Sequence, residues 1–241
     1  MLEVAGLSKL FGGFLAVNNV SFAVKPGEIL GLIGPNGSGK STTFNLIAGT
    51  LRPTGGSIRF EGTEIAGMPA HRICRGGIAR TFQIPRPFRK LSLIENVTLA
   101  AYYGAGGAIA RAEAARNAGE ALDLVGLPSD ARTSINGLGA AALKKLELAR
   151  ALATRPRLLL ADESLGGLDA GEMERAAQLL GDIRSRMGIT IVWVEHIMGV
   201  LMRIVDRVIV LDHGEKIFEG PPEAATRDAR VAEVYLGAPK S

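Results

Sequence analysis

Ile29-Leu-Gly-Leu-Ile-Gly-Pro-Asn-Gly-Ser-Gly-Lys-Ser-Thr42 decides the fold of this chain. Its first five residues form a short apolar run bounded by glycine, which predicts a buried strand over 29–33. Residues 34–41 match the pattern G-x-x-x-x-G-K-[ST] in full, and a helix signal opens at Gly39 and runs to 48, closed by Gly49 with Pro53 just beyond. A strand that feeds such a loop into a helix brings backbone N–H groups and the positive end of the helix dipole to one point, where a phosphate chain fits. Gly34, Pro35, Asn36, Gly37, Ser38, Gly39, Lys40, Ser41 and Thr42 therefore read as the phosphate-binding loop of a nucleoside triphosphate site. Lys40 is expected to reach the β and γ phosphates, and the Ser41 hydroxyl to bind Mg²⁺.

Short β-type runs dominate around this loop, at 2–7, at 20–24 with alternating apolar residues, and at 57–61 before Gly62. Between about 85 and 154 strand signals vanish, and Ala-rich helical stretches replace them at 93–103, 111–125 and 143–153. An apolar strand at 158–161, a helix at 171–187, a second apolar strand at 190–194 and a short helix from 196 follow. That alternation indicates a parallel sheet with helices on its faces. A hairpin at 207–211 and 215–218, turning at Asp212-His213-Gly214, and a small helical tail complete the chain. The expectation is one α/β domain over 1–241, with a core from 1–84 and 155–241 and a helical lobe over 85–154.

Leu158-Leu-Leu-Ala-Asp162-Glu163 places two carboxylates at the C-terminal end of an apolar strand, the edge where open α/β sheets bind ligands. Paired with the phosphate loop, Asp162 is expected to hold Mg²⁺ through its water shell and Glu163 to polarise an attacking water. The bulk properties agree with a folded enzyme: 241 residues, 47% hydrophobic, with a net charge of +4 whose lysines and arginines are scattered. Such scattering points away from nucleic acid as a partner. The single cysteine, Cys74, permits no internal disulfide and reads as a small buried apolar residue. His71 and His213 read as solvated, and Trp193 as a packing residue. The start of the chain lacks a basic stretch followed by an apolar one, and every apolar run falls short of the roughly 18 to 20 residues of a membrane span. Any work at a membrane would then be done from its surface.

Taken together, these residues resemble the ATP-binding subunits of ABC transporters over essentially the whole chain. The resemblance implies a P-loop ATPase core with a mixed, largely parallel sheet, an N-terminal antiparallel β subdomain and an inserted helical lobe. It also implies that Phe11 stacks on adenine, that Gln83 is the Q-loop glutamine at the Mg²⁺ and γ-phosphate, that Leu168-Asp169 is the D-loop, and that His196 is the switch histidine. The stretch Ile78-Ala-Arg-Thr-Phe-Gln83, the run from Phe88 to Val97, Val194-Glu-His-Ile-Met198 and Val234-Tyr-Leu-Gly237 resemble the branch serving branched-chain amino-acid importers. By that resemblance the cofactors are ATP and Mg²⁺. The partners are transmembrane permease subunits, a second ATPase subunit, identical or different, and indirectly a solute-binding protein. The site of action is the cytoplasmic face of the inner membrane.

Two positions depart from the family pattern. Where a Leu-Ser-Gly-Gly-Gln type signature belongs, the chain has Leu138-Gly-Ala-Ala-Ala142, followed by a well-kept Lys144-Lys-Leu-Glu-Leu-Ala-Arg150, and Ser164 replaces a customary proline. Small residues still permit close backbone approach, but a hydroxyl and an amide are missing. A soluble ABC-type ATPase acting on DNA or ribosomes would carry a long coiled coil or two ATPase domains, and neither is present. A non-catalytic nucleotide-binding partner is a further alternative, against which Lys40, Asp162, Glu163 and His196 argue.

Overall fold

The computed structural model describes residues 1–131, 133–162, 169–195 and 198–236. In chain order its elements are β1 (Leu2–Phe11), β2 (Phe14–Val24), β3 (Ile29–Ile33), α1 (Lys40–Ile47), β4 (Gly55–Phe60), β5 (Thr63–Glu64), α2 (Ala70–Arg75), β6 (Ile78–Arg80), α3 (Leu93–Gly104) and α4 (Arg111–Leu124). Then come α5 (Ala140–Leu152), β7 (Leu158–Asp162), α6 (Ala170–Met187), β8 (Thr190–Val194), α7 (Met198–Leu201), β9 (Arg207–Asp212), β10 (Glu215–Gly220), α8 (Pro222–Ala225) and α9 (Ala229–Leu236). Two compact units result, Met1–Ala70 with Thr190–Ser241, and His71–Ile189.

The first unit holds an antiparallel sheet of order β2-β1-β4-β5. β1 and β2 are longer than their apolar alternation predicts, because the ladder absorbs irregularities that break the pattern. Register shifts fall between Val4 and Leu7 and between Leu7 and Lys9. Side chains satisfy the displaced backbone there: the Gly6 N–H donates to Ser21 Oγ at 2.8 Å and the Asn19 N–H to Ser8 Oγ at 3.0 Å. In the second sheet of this unit β3 runs parallel to both β8 and β9, and β10 lies antiparallel on β9. β3 and β8 are buried at every residue, which explains their unbroken apolar sequences. Trp193 is fully buried in β8, as a packing residue should be. The Ile29 N–H donates to Asp206 Oδ2 at 2.8 Å, and the Arg207 guanidinium pairs with Glu28 at 2.7 Å and with Glu219. These bonds fix the start of the strand that leads into the phosphate loop.

The second unit pairs β6 with β7 in parallel and packs α3, α4 and α5 against one another. Ala101, Ala114, Ala118 and Ala121 are buried on α3 and α4, and such small residues let helix axes approach closely. Ser92 and Glu95 form a reciprocal capping box at the start of α3, and Asp169 and Glu172 form another at α6. α2 and β6 lie where no element is expected from sequence. α5 begins at Ala140, a turn before the expected 143, since alanine favours helix as strongly as the leucines that follow. Cys74 corrects its expectation: it is half-buried, with its thiol pushed up by the burial it does have.

Candidate active site

β3 ends at Ile33, α1 begins at Lys40, and the loop between them has a backbone only glycine can supply at two points. Gly34 has φ 148° and Gly39 has φ 101°. A Cβ on Gly34 would lie 2.1 Å from the Leu211 carbonyl oxygen, and one on Gly39 would lie 2.7 Å from the Ala16 carbonyl oxygen. Neighbouring backbone thus packs against the outside of the loop and shapes it. The Ser38 N–H donates to the Pro35 carbonyl at 3.2 Å, and the Gly214 N–H donates to the Ser38 carbonyl at 3.1 Å. Asn36 and Gly37 form the exposed tip.

Gly39 caps α1 without a side-chain acceptor, and no acidic residue occupies the first turn. The N–H groups of that turn keep their capacity for an anion, at the positive end of the helix. Lys40 is buried, and its ammonium donates to the Gly34 carbonyl at 2.7 Å and the Pro35 carbonyl at 2.8 Å. Neutral carbonyls hold it there, and phosphate oxygens would accept the same donors in stronger, charge-assisted bonds. Ser41 is exposed and Thr42 half-buried on the first turn. Phe11 ends β1 opposite Phe14 and is 43% exposed, with the Lys9 ammonium 4.9 Å from its ring centre.

Sequence reasoning missed one neighbour of this loop. The Tyr235 hydroxyl of α9 is buried against the Gly34 backbone without a hydrogen bond of normal geometry, and burial pushes its pKa up to about 12, with Gly34 acting in the opposite direction. Only tertiary packing brings residue 235 to residue 34, so no local signal could have found it.

In the second unit Asp162 ends β7, buried, and its N–H donates to Thr81 Oγ1 at 3.1 Å. Its carboxylate pairs with the Arg80 guanidinium at 2.7 Å, a partner the sequence reading also missed. Gln83 is exposed in the segment after β6. Arg150 of α5 braces that segment: its guanidinium donates to the Arg86 carbonyl at 3.0 Å, lies over the Phe88 ring at 5.4 Å and pairs with Glu147 at 2.9 Å. Gly139 caps α5 with φ −70° and no side-chain acceptor, and among the described residues nothing lies within 4 Å of where its Cβ would be. The start of α5 therefore carries no side-chain cap. Asp169 accepts the Glu172 N–H at 2.8 Å, so it caps α6 whatever else it does. Glu163, Leu168 and His196 lie outside the described residues. A cleft of about 510 Å³ is lined in part by Phe82, Lys144, Glu172 and Arg175, and none of the expected site residues is among the described residues that line it.

A parallel α/β strand that delivers a glycine-shaped loop, a lysine and an uncapped helix start defines a P-loop nucleotide-binding protein. The ABC transporter family model matches residues 17–166. The chain is 38% identical to the high-affinity branched-chain amino acid transport ATP-binding protein BraF of Pseudomonas aeruginosa, covering 98% of each. It is 36% identical to the corresponding protein LivG of Escherichia coli K12, again over 98% of each. Its fold is similar to the dimeric post-hydrolysis state of the ATP-binding cassette MJ0796 bound to ADP and Pi, with a TM-score of 0.81, 29% identity, and 92% of this chain and 99% of that one covered. The chain belongs to the ABC transporter family. It is an ATP-binding, ATP-hydrolysing cassette, as the phosphate loop and the resemblance both imply.

Proposed function

We propose that this cassette energises uptake of branched-chain or related hydrophobic amino acids through membrane permease subunits. Similarity to BraF and LivG over 98% of each chain supports that reading of the solute, and the shape of the loop from Gly34 to Gly39 is the observation that carries the chemistry. No helix among the described residues is long and apolar enough to cross a membrane. The cassette would work on the cytoplasmic face of the inner membrane, paired with a second cassette, identical or different. The dimeric state of a similar cassette supports the pairing.

In this reading ATP lies along the loop, with the N–H groups of 34–42 on its phosphates and Phe11 against adenine. Lys40 gives up the Gly34 and Pro35 carbonyls for the β and γ phosphates. Glu163 accepts a hydrogen bond from the attacking water and orients it in line, His196 holds the γ-phosphate, and Gln83 links that end to the permease contact. The residues fit Mg²⁺: Ser41 offers a hydroxyl, Asp162 a buried carboxylate and Gln83 an amide oxygen, all hard oxygen donors. Among the described residues no three His, Cys, Asp or Glu side chains form a ligand set, and an ion held largely by phosphates and water needs none. When bound, Mg²⁺ supplies positive charge to the phosphate oxygens. The bare start of α5 would make the composite site completed by this chain's signature the weaker one, a defect tolerable in a dimer with a different partner.

The test is recovery of the tagged chain from gently solubilised membranes, followed by uptake of labelled leucine in cells that depend on it. Two permease chains and a second cassette should co-purify, and Glu163→Gln should abolish uptake while ATP binding survives. Purely soluble partners, or full uptake by the variant, would overturn the proposal.

A further inference from the structure

β6 and β7 run side by side with Arg80 opposite Leu160. Residues two apart on a strand share a face, so Arg80 lies on the face that carries Leu160 and Asp162. Two bonds lock the strand ends in this register: the Thr81 N–H donates to the Leu160 carbonyl at 3.0 Å, and the Asp162 N–H donates to Thr81 Oγ1 at 3.1 Å. Arg80 Nη2 then donates to Asp162 Oδ2 at 2.7 Å, with only 11% and 7% of the two side chains exposed. The same guanidinium lies 5.3 Å from the centre of the Phe82 ring, immediately before Gln83.

A buried carboxylate without a positive partner is costly, and here the partner is a residue of the neighbouring strand. Bringing a divalent cation to the same carboxylate places two like charges at one anion, and each weakens the other's hold on it. We propose that Arg80 is a positioning residue that holds Asp162 before nucleotide binds and releases it to Mg²⁺, and so sets the Mg²⁺ concentration at which nucleotide binding becomes metal-assisted. The proposal rests on the reading of Asp162 as the metal-side carboxylate. Released from Asp162, the guanidinium keeps the Phe82 ring as a partner, since a cation is stable over an aromatic face. Arg80 thereby connects the metal-side carboxylate to the segment that carries Gln83.

The experiment titrates the full chain with a fluorescent mant derivative of the non-hydrolysable analogue AMP-PNP, at graded free Mg²⁺ and in EDTA. One lost charge-assisted hydrogen bond corresponds to a change of about tenfold or more in an equilibrium. Arg80→Gln should lower the Mg²⁺ concentration for half-maximal binding by about that factor, leaving binding in EDTA within about twofold of wild type. Arg80→Lys keeps the charge, and with it the buried partner Asp162 needs to fold, but loses the planar fork, so its midpoint should fall between the two. A midpoint at or above wild type in either variant overturns the inference, as does a parallel loss of binding in EDTA. Asp162→Asn separates the two claims: it should raise the Mg²⁺ concentration for half-maximal binding by about tenfold or more. If it leaves that concentration unchanged, the reading of Asp162 fails, whatever Arg80 does.

Discussion

Replacing Gly34 by alanine probes the feature on which the loop depends. The residue has φ 148°, and the new Cβ would lie 2.1 Å from the Leu211 carbonyl oxygen and 2.6 Å from Ser38 Oγ. Ser38 can rotate away, but Leu211 contributes backbone from β9 and cannot. Strain of the backbone at such a φ costs about 1–3 kcal/mol, and forcing a methyl into filled space costs about 1–3 kcal/mol. The sum, about 2–6 kcal/mol, is equivalent to a fall in Tm of about 4 to 24 °C at the 2–4 °C per kcal/mol expected of a chain this long. Two companions calibrate the result. Gly37 has φ 82° but open space around its Cβ position, so Gly37→Ala should cost only the left-handed penalty of about 1–2 kcal/mol. Gly119, inside α4 and also unobstructed, should gain about 0.5–1 kcal/mol on conversion to alanine. Urea unfolding followed by circular dichroism ranks the three. If Gly34→Ala is no less stable than Gly37→Ala, the close packing of β9 against the loop does not exist as described.

Other expectations concern charge and pH. Arg207→Met leaves Glu28 buried without its guanidinium and should cost about 3–5 kcal/mol in urea unfolding, part of which Glu28→Gln should restore in the double variant; additive losses would deny the pair. Burial, opposed by Arg150, holds the Glu147 carboxyl above its ordinary 4.5. The folded state therefore keeps that proton to higher pH than the unfolded state, so this contribution is present below about 4.5 and is lost as pH rises through the folded value. Glu147→Gln should flatten the fall of stability above pH 4.5, and an unchanged slope would reject the assignment. Gly139→Ser with Ala142→Gln meets no steric bar at 139 and should raise turnover of the assembled transporter by about tenfold or more, the worth of one charge-assisted hydrogen bond. Unchanged turnover would make the departure at 139–142 harmless.

What could be read in advance follows from how local the signals are. The run from Ile29 to Thr42 contains its own strand, loop and helix start, so β3 and α1 were legible from spacing alone. β7 and β8 were legible because strands buried on both faces are apolar throughout. β6 was not, since three residues ending in arginine carry no period, and the strand exists because β7 pairs with it from 80 residues further along the chain, as in Ile78 with Leu158. For the same reason the Arg80–Asp162 pair was invisible: each residue looks like an ordinary polar end of a strand until the register is known. Asn96 carries no local signal of its role either, yet its buried amide donates to the carbonyls of Phe88, Leu91 and Ser92 and accepts the Phe88 N–H, shaping the segment that follows Gln83. The strand ends of β1 and β2 were underestimated because bulges at Gly6 and Asn19 interrupt an alternation that the ladder itself survives.

The most direct test of the whole account is calorimetric titration of ATP into the wild-type chain and Lys40→Ala, with phosphate release measured on the same samples. The wild type should bind and hydrolyse ATP. Lys40→Ala, which removes the ammonium now held by the Gly34 and Pro35 carbonyls, should lose at least about tenfold in affinity and nearly all turnover. Equal affinity and equal turnover in the two proteins would contradict the claim that residues 34–42 hold the phosphates.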